Sequence, residues 1–291
     1  MSPSAERDII EAWAAAGRRL QVTRAGSTVW EEGSGEPVIC LHGVPSSAFL
    51  YRKVLPALAA RGRRGIAFDL PGLGLADRPR DFDYSWSGLS AWVVAAIDAL
   101  GLDRFHLVVH DIGGPIGFDV VARIPDRIAS LTALNTMVRV ASFKRPWSME
   151  PFARRGIGEL YLRTLHPLVF ERLMRLQGVG SPVPAAELRA YVPLLKRGDG
   201  GAAFLRIMRG FERTEGFERR ILAALAGRAF PAQVLWGERD PALKLDPYGE
   251  HVREALGVEG VARLPGRHFV QEDAPEQVAE HVSRLIGSAP G

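Results

Sequence analysis

The chain has 291 residues, 47% of them hydrophobic and 24% charged, with a formal charge of +4. That is enough apolar material for one large core with an insert, and the absence of a glycine repeat and of low hydrophobicity excludes collagen-like and disordered chains. The longest apolar runs, such as Trp92–Ile97, fall far short of the ~20 residues of a spanning helix, so no membrane span is expected.

In chain order, the opening MSPSAERDIIEAWAAAGRRL has no basic start followed by an apolar stretch. It reads as carrying no signal peptide, and the protein as soluble and cytoplasmic. Ile9, Ile10 and Trp13 give this segment an amphipathic face that would pack on the core or on a second subunit, leaving monomer or homodimer open. Leu20–Ala25 and Thr28–Glu32, split by Gly26-Ser27, read as an antiparallel hairpin. Short apolar runs then alternate with helical stretches. Val38–Leu41 ends at His42-Gly43, Gly65–Phe68 at Asp69, Phe105–Val109 at His110-Asp111, and Leu131–Leu134 at Asn135. After a gap, Gln233–Trp236 ends at Gly237 and Val261–Leu264 at Pro265. The helical candidates are Ser47–Ala60, Ser87–Leu100, Pro115–Arg123, Pro247–Leu256 and Pro275–Ile286. Continuous apolar strands alternating with helices indicate an α/β fold, a mostly parallel sheet flanked by helices.

Residues 139–220 break the rhythm. They hold sixteen Lys and Arg against eight Asp and Glu, and short helices punctuated by Gly178, Gly180-Ser181-Pro182 and Gly198–Gly201. This reads as a helical insert over the carboxyl edge of the sheet, where open parallel sheets bind ligands. The expected organisation is a core in two parts, 1–138 and 221–291, with a cap at 139–220. Arginines interleaved with glutamates read as a solvated face, and with no accompanying motif no nucleic-acid partner is expected. The single Cys40 lies in an apolar run and reads as an inert buried residue, and nothing resembles a metal cluster.

The strand ends carry the chemistry. In Val109-His110-Asp111-Ile112-Gly113-Gly114, a polar residue stands between an apolar strand and a Gly-rich helix start, the pattern of an elbow that pushes one side chain into a pocket. Asp111 alone would read equally well as a helix N-cap. His268 after the last strand, Asp240 after the one before, and a backbone N–H at Val44 following His42-Gly43 change that. Together they supply a nucleophile, a base, an acid to orient the base, and an oxyanion donor.

With His42-Gly43-Val44-Pro45, Asp69-Leu70-Pro71-Gly72-Leu73-Gly74, His110-Asp111-Ile112-Gly113-Gly114 and His268-Phe269, residues 20–290 resemble an α/β-hydrolase with a helical cap inserted after the sixth strand. Aspartate at the elbow resembles the epoxide hydrolase and haloalkane dehalogenase branch. The resemblance implies that Asp111 attacks a saturated carbon to give an alkyl ester, and that His268 activates water against the ester carbonyl. The N–H groups of Val44 and Ile112 would hold the oxyanion, and Asp240 would orient His268. It implies no cofactor and a small apolar substrate.

Asp246, Glu238 and Asp273 are rivals of Asp240. Asn135 stands where some relatives place the acid, but it carries no charge. His110 reads as structural by alternation, His106, His166, His251 and His281 as surface or packing residues, and Asp69 as a turn stabiliser. The dehalogenases resembled here use an indole N–H after the nucleophile and an Asn or Trp elsewhere. Ile112 and Val44 stand instead, and neither side chain donates a hydrogen bond. Epoxide hydrolases use cap tyrosines, and the insert offers Tyr161 and Tyr191, each of which also reads as packing, while Ala202–Met208 offers none. Trp147 would supply an indole N–H. Val109, where many epoxide hydrolases have glycine, and Ser46–Arg52 lean toward a dehalogenase scaffold. The first reading is therefore an epoxide hydrolase, the second a dehalogenase with an atypical halide site. The third, of another class, is a non-catalytic small-molecule binder on the same fold.

Overall fold

Short runs rich in Val, Leu, Ile and Ala suit strands covered on both faces, and such strands take the middle of the sheet even where they carry a buried His, Ser or Thr. In the computed structural model, which describes residues 4–288, the strands are β1 (Arg18–Leu20), β2 (Ser27–Glu32), β3 (Pro37–Leu41), β4 (Arg64–Phe68), β5 (Phe105–Asp111), β6 (Ile128–Thr136), β7 (Ala232–Gly237) and β8 (Val261–Leu264). They pair in the order β1-β2-β4-β3-β5-β6-β7-β8. β1–β2 and β2–β4 are antiparallel and every later pair is parallel. All residues of β5 and β6 are buried.

The hairpin differs from expectation. Its strands pair through Leu20 and Ser27, so residues 21–26 form the connection and Gly26-Ser27 is no two-residue turn. The cause is tertiary. Gly26 N donates to Asp77 Oδ2 at 2.8 Å, and Ser27 Oγ to the Asp69 carbonyl at 2.6 Å, tying both residues to the segment after β4.

Helix α1 (Ser4–Ala16) packs on its own chain: Trp13 stacks on Trp30 with ring centres 4.3 Å apart, and Trp30 Nε1 donates to the Trp13 carbonyl at 2.7 Å. The helix expected over Ser47–Ala60 breaks into a 3₁₀ turn (Ala48–Tyr51) and α2 (Val54–Ala59). α3 (Trp86–Ala99) and α4 (Gly113–Arg123) follow close to expectation. Between β6 and β7 lie α5 (Glu150–Ala153), α6 (Ile157–Thr164), α7 (Pro167–Leu173) with a π-helical turn (Met174–Gly178), α8 (Ala185–Lys196), α9 (Ala202–Arg209) and α10 (Glu215–Ala226). α10, which contains residue 220, buries Phe217, Ile221 and Leu225 and packs on α4. α11 (Glu250–Leu256), preceded by a π turn over Leu245–Gly249, α12 (Val270–Asp273) and α13 (Pro275–Gly287) are the last elements of the described residues.

One topological feature locates the site. β4 and β5 flank β3 on opposite sides, so successive connections leave β3 in opposite directions and open a crevice beyond its carboxyl end. Residues 42–44 and Asp111 meet there. The fully buried Trp236 on β7 donates from Nε1 to the Leu243 carbonyl at 2.9 Å, pinning the loop that carries Asp240. Cys40 is fully buried, and burial pushes its thiol far up, as an inert residue requires.

Candidate active site

Asp111 ends β5 with φ at +53°, a left-handed conformation uncommon outside glycine, and α4 begins two residues later. The surroundings hold this strained elbow in place. The pairing of β5 with β6 shifts register between His110 and Asp111, and Thr136 Oγ donates to the Asp111 carbonyl at 2.6 Å. Side chains at Gly43 and Gly114 would collide with the Asp111 carboxylate and with Thr136, so the absence of a Cβ there lets the backbones close around the elbow.

The Asp111 carboxylate is 9% exposed by residue, open enough for a small molecule yet drawn out of bulk water. Oδ1 accepts from the Val44 N–H at 2.8 Å, and the Ile112 N–H also bonds the carboxylate. Oδ2 lies 3.6 Å from His268 Nε2. On the far side of the ring, His268 Nδ1 meets Asp240 Oδ2 at 2.8 Å. Asp240 is fixed in turn by Asn135 Nδ2 at 2.8 Å and by the N–H groups of Ala242 and Leu243 at 2.7 and 2.9 Å. Asn135, whose Oδ1 accepts from Gly237 N at 2.9 Å, clips β6 to β7 beneath the acid. The structure thus brings Asp111, His268, Asp240, Val44 and Ile112 together. Asp246, Glu238 and Asp273 make no contact with His268 of the kind Asp240 makes, and Asp273 instead accepts from Gly180, Ser181 and Arg267.

Charge follows from this geometry. Burial works against a cation at His268, but the Asp240 and Asp111 carboxylates outweigh it and push the imidazole up to about 10. Burial likewise opposes a charged Asp111, and the hydrogen bond and charge of His268 hold its carboxyl below the usual value. The resting pair is therefore carboxylate and imidazolium. His110 is driven the other way: burial and the neighbouring His268 lower it to about 3, and its Nε2 hydrogen-bonds the His268 carbonyl at 2.8 Å. It acts as a neutral prop, in keeping with its structural reading. His42 is also neutral, lowered to about 4 by burial, with Nε2 accepting from Leu70 N at 3.0 Å. Asp69 accepts from Ala48 N at 2.7 Å and Leu75 N at 2.6 Å, the turn-stabilising role expected of it.

A cavity of about 90 Å³ opens above Asp111 and His268. Its wall is largely apolar and includes Phe143, Met149, Phe152, Phe170, Met174 and Phe211, which suits an apolar guest. Tyr161 lines it. Tyr191 does not: it is 1% exposed, its hydroxyl donates to Glu272 Oε1 at 2.6 Å, and its ring packs on Phe49. Trp147 points outward at 72% exposure and lies outside the cavity wall. Tyr191 lies on α8 and Trp147 in the turn before α5, and which side of either segment faces inward depends on how the segments pack. Three polar wall residues escape sequence reasoning: Arg145, Ser148 and Gln177. Ser148 Oγ donates to Gln177 Oε1 at 3.0 Å, which turns the amide N–H₂ away and leaves it without a protein partner among the described residues. Gln177 sits in the π-helical turn, and π turns recur at functional sites. The next carbonyl, of Gly178, accepts from Phe269 N at 2.8 Å, docking the turn beside His268. No local pattern in the sequence marks such a turn.

The strand order, the elbow and the ligand crevice define a class of protein, and residues 36–275 match the family model for the alpha/beta hydrolase fold. The chain belongs to that family. Within it, the chain is 31% identical over 255 residues to a haloalkane dehalogenase of Mycobacterium marinum, covering 85% of this chain and 84% of the relative. It is 32% identical over 254 residues to haloalkane dehalogenase 1 of Mycobacterium bovis, covering 84% and 82%. Among solved structures, haloalkane dehalogenase DbeA from Bradyrhizobium elkani superposes with a TM-score of 0.76 at 22% identity, covering 94% of this chain and 98% of its own. A Pseudomonas aeruginosa protein named as a candidate epoxide hydrolase superposes with a TM-score of 0.78 at 23% identity, covering 94% and 95%. These two share the fold with this chain. The relationship makes the protein an enzyme, a hydrolase, in place of the non-catalytic binder that the fold alone allowed.

Proposed function

We propose that the protein is a hydrolase whose nucleophile is Asp111 and whose product is released from a covalent alkyl ester. The observation that carries this reading is the carboxylate itself, held at a strained strand-to-helix elbow by the Val44 N–H and facing His268 Nε2 at 3.6 Å. One Asp111 oxygen displaces a leaving group from a saturated carbon, forming a C–O bond as the carbon–leaving-group bond breaks. Water then adds to the Asp111 carbonyl carbon while His268 takes its proton. The backbone N–H groups of Val44 and Ile112 hold the tetrahedral oxyanion, which collapses to carboxylate and alcohol. Asp240 keeps Nδ1 as the donor and stabilises the cation. The helices that begin after residue 139 serve as the cap over the reacting atoms.

The preferred substrate class is a small epoxide. Tyr161 stands in the cavity wall with no hydrogen-bond acceptor for its phenol among the described residues, and it donates to the opening ring oxygen. The proton balance closes without solvent. Esterification removes the Asp111 charge that helps hold the proton on His268, so His268 releases that proton into the cavity it shares with Tyr161, replacing the one the phenol gave the alkoxide, and the neutral imidazole is then the base the second step needs. Dehalogenation is a second reading, favoured by identity to haloalkane dehalogenases and by the free Gln177 amide, a donor suited to a halide. It requires His268 to shed its proton to solvent with the halide.

A single turnover in water enriched in heavy oxygen tests the covalent step. The account expects the label in the peptide containing Asp111 and not in the first product. Label in the product alone would mean direct attack by water.

A further inference from the structure

The large hydrophobic side chains that stand exposed among the described residues are Trp147, Ile157, Leu160, Leu168, Val169 and Leu176, and all six fall within thirty residues of one another in the helical segment. Scattered singly they would need no account. They are not scattered. Ile157 and Leu160 are one turn apart on α6, and Leu168, Arg172 and Leu176 follow a four-residue spacing along α7 and its π turn, which puts them on one side.

The same turns wall the cavity from within. Trp147 stands between Pro146 and Ser148, Leu160 precedes Tyr161, Val169 precedes Phe170, and Leu176 precedes Gln177, and each of those neighbours lines the cavity. The outward side of the cavity wall therefore carries large apolar side chains among its polar ones. Exposed basic residues interleave with them. Lys144, Arg155, Arg163 and Arg172 make no ion pair among the described residues, whereas Arg154 and Arg175 pair within their own segments with Glu150 and Glu171.

We propose that this face of the helical segment seats the cavity on the surface of an anionic lipid bilayer. Apolar side chains flanked by unpaired arginines are what an interfacial surface requires, and each basic group near such a bilayer strengthens binding about fivefold. Charge selects this occupant over a second copy of the chain. A twofold interface presents the same patch from both subunits, which would bring these unpaired cations against one another. Among the described residues no helix is long and apolar enough to cross a membrane, and the contact proposed is a peripheral one. The inference does not depend on which leaving group Asp111 displaces.

Flotation with vesicles of phosphatidylglycerol and phosphatidylcholine in equal amounts, against vesicles of phosphatidylcholine alone, tests it. The full chain should float with the anionic vesicles only, and salt should release it. The triple variant Trp147→Ser, Leu160→Ser, Leu176→Ser should bind at least about tenfold more weakly with an unchanged thermal midpoint, because the three side chains support no core. Sedimentation velocity runs alongside. Three results overturn the proposal: no flotation with anionic vesicles, undiminished flotation of the triple variant, or a solution dimer that the triple variant dissociates.

Discussion

On the sheet side of the cavity, Asp111, His268 and Asp240 stand at strand ends with their polar atoms tied to backbone N–H groups or to one another. On the helical side, Tyr161 and Gln177 stand among Phe and Met side chains with donors to spare. The sheet side has little left to adjust: Asp111 Oδ1 and both Asp240 oxygens are hydrogen-bonded, and Asp111 Oδ2 faces His268 Nε2 at 3.6 Å. The helical side is shape plus a few unspent hydrogen bonds. The difference teaches where reaction and selectivity reside. In the proposed mechanism, chemistry belongs to residues at or just after the strand ends, and the choice of leaving group to side chains of the helical segment.

If the sheet side acts as one unit, breaking any member should cost far more than any change in the helical wall. Asp240→Asn should lower turnover about 10³-fold or more, because an amide facing Nδ1 no longer favours the tautomer with Nε2 free to accept a proton. Steady-state rates beside an unchanged fold measure this, and a loss below tenfold would move the acid elsewhere. On the helical side, Tyr161→Phe should slow epoxide turnover about 10²-fold and leave haloalkane turnover unaltered. Tyr191→Phe sharpens the contrast. It removes only the buried hydrogen bond to Glu272, so it should cost about 1 kcal/mol of stability and nothing in rate. Equal kinetic effects of the two tyrosines would contradict their placement.

The smallest effect is on stability against pH. His268 is raised from its ordinary 6.5 to about 10 in the folded protein. A raised pKa stabilises the fold fully below the unfolded value, and that contribution is lost as pH rises through the folded one. The thermal midpoint of the wild type should therefore fall between about pH 7 and 10 relative to His268→Gln, which has no such group to titrate. Parallel curves would place the imidazolium outside the pair.

Much of this was legible in the sequence because parallel strands are short, apolar and end abruptly. A polar residue at or just after the end of such a run has to lie at the carboxyl edge of the sheet, which is why the sequence alone singles out Asp111, Asp240 and His268. Asn135 was visible as a strand end but not as the clip between Asp240 and Gly237, since that role rests on a contact across more than a hundred residues. The Gly26-Ser27 turn failed because Asp77 and Asp69 capture those residues from another part of the chain. In the helical segment, amphipathic spacing marks helices without saying which face meets the cavity. Tyr161 and Tyr191 were indistinguishable there, and Ser148 and Gln177 met only through a π turn.

The most direct test of the central claim is the intact mass of His268→Gln protein after incubation with a small epoxide. Without the base, the ester should persist on Asp111. The account predicts a gain equal to the whole epoxide that disappears when Asp111→Asn is added. No gain with any epoxide, together with a gain of only the alkyl group from a haloalkane, would contradict the epoxide reading, and a gain that survives Asp111→Asn would contradict the nucleophile itself.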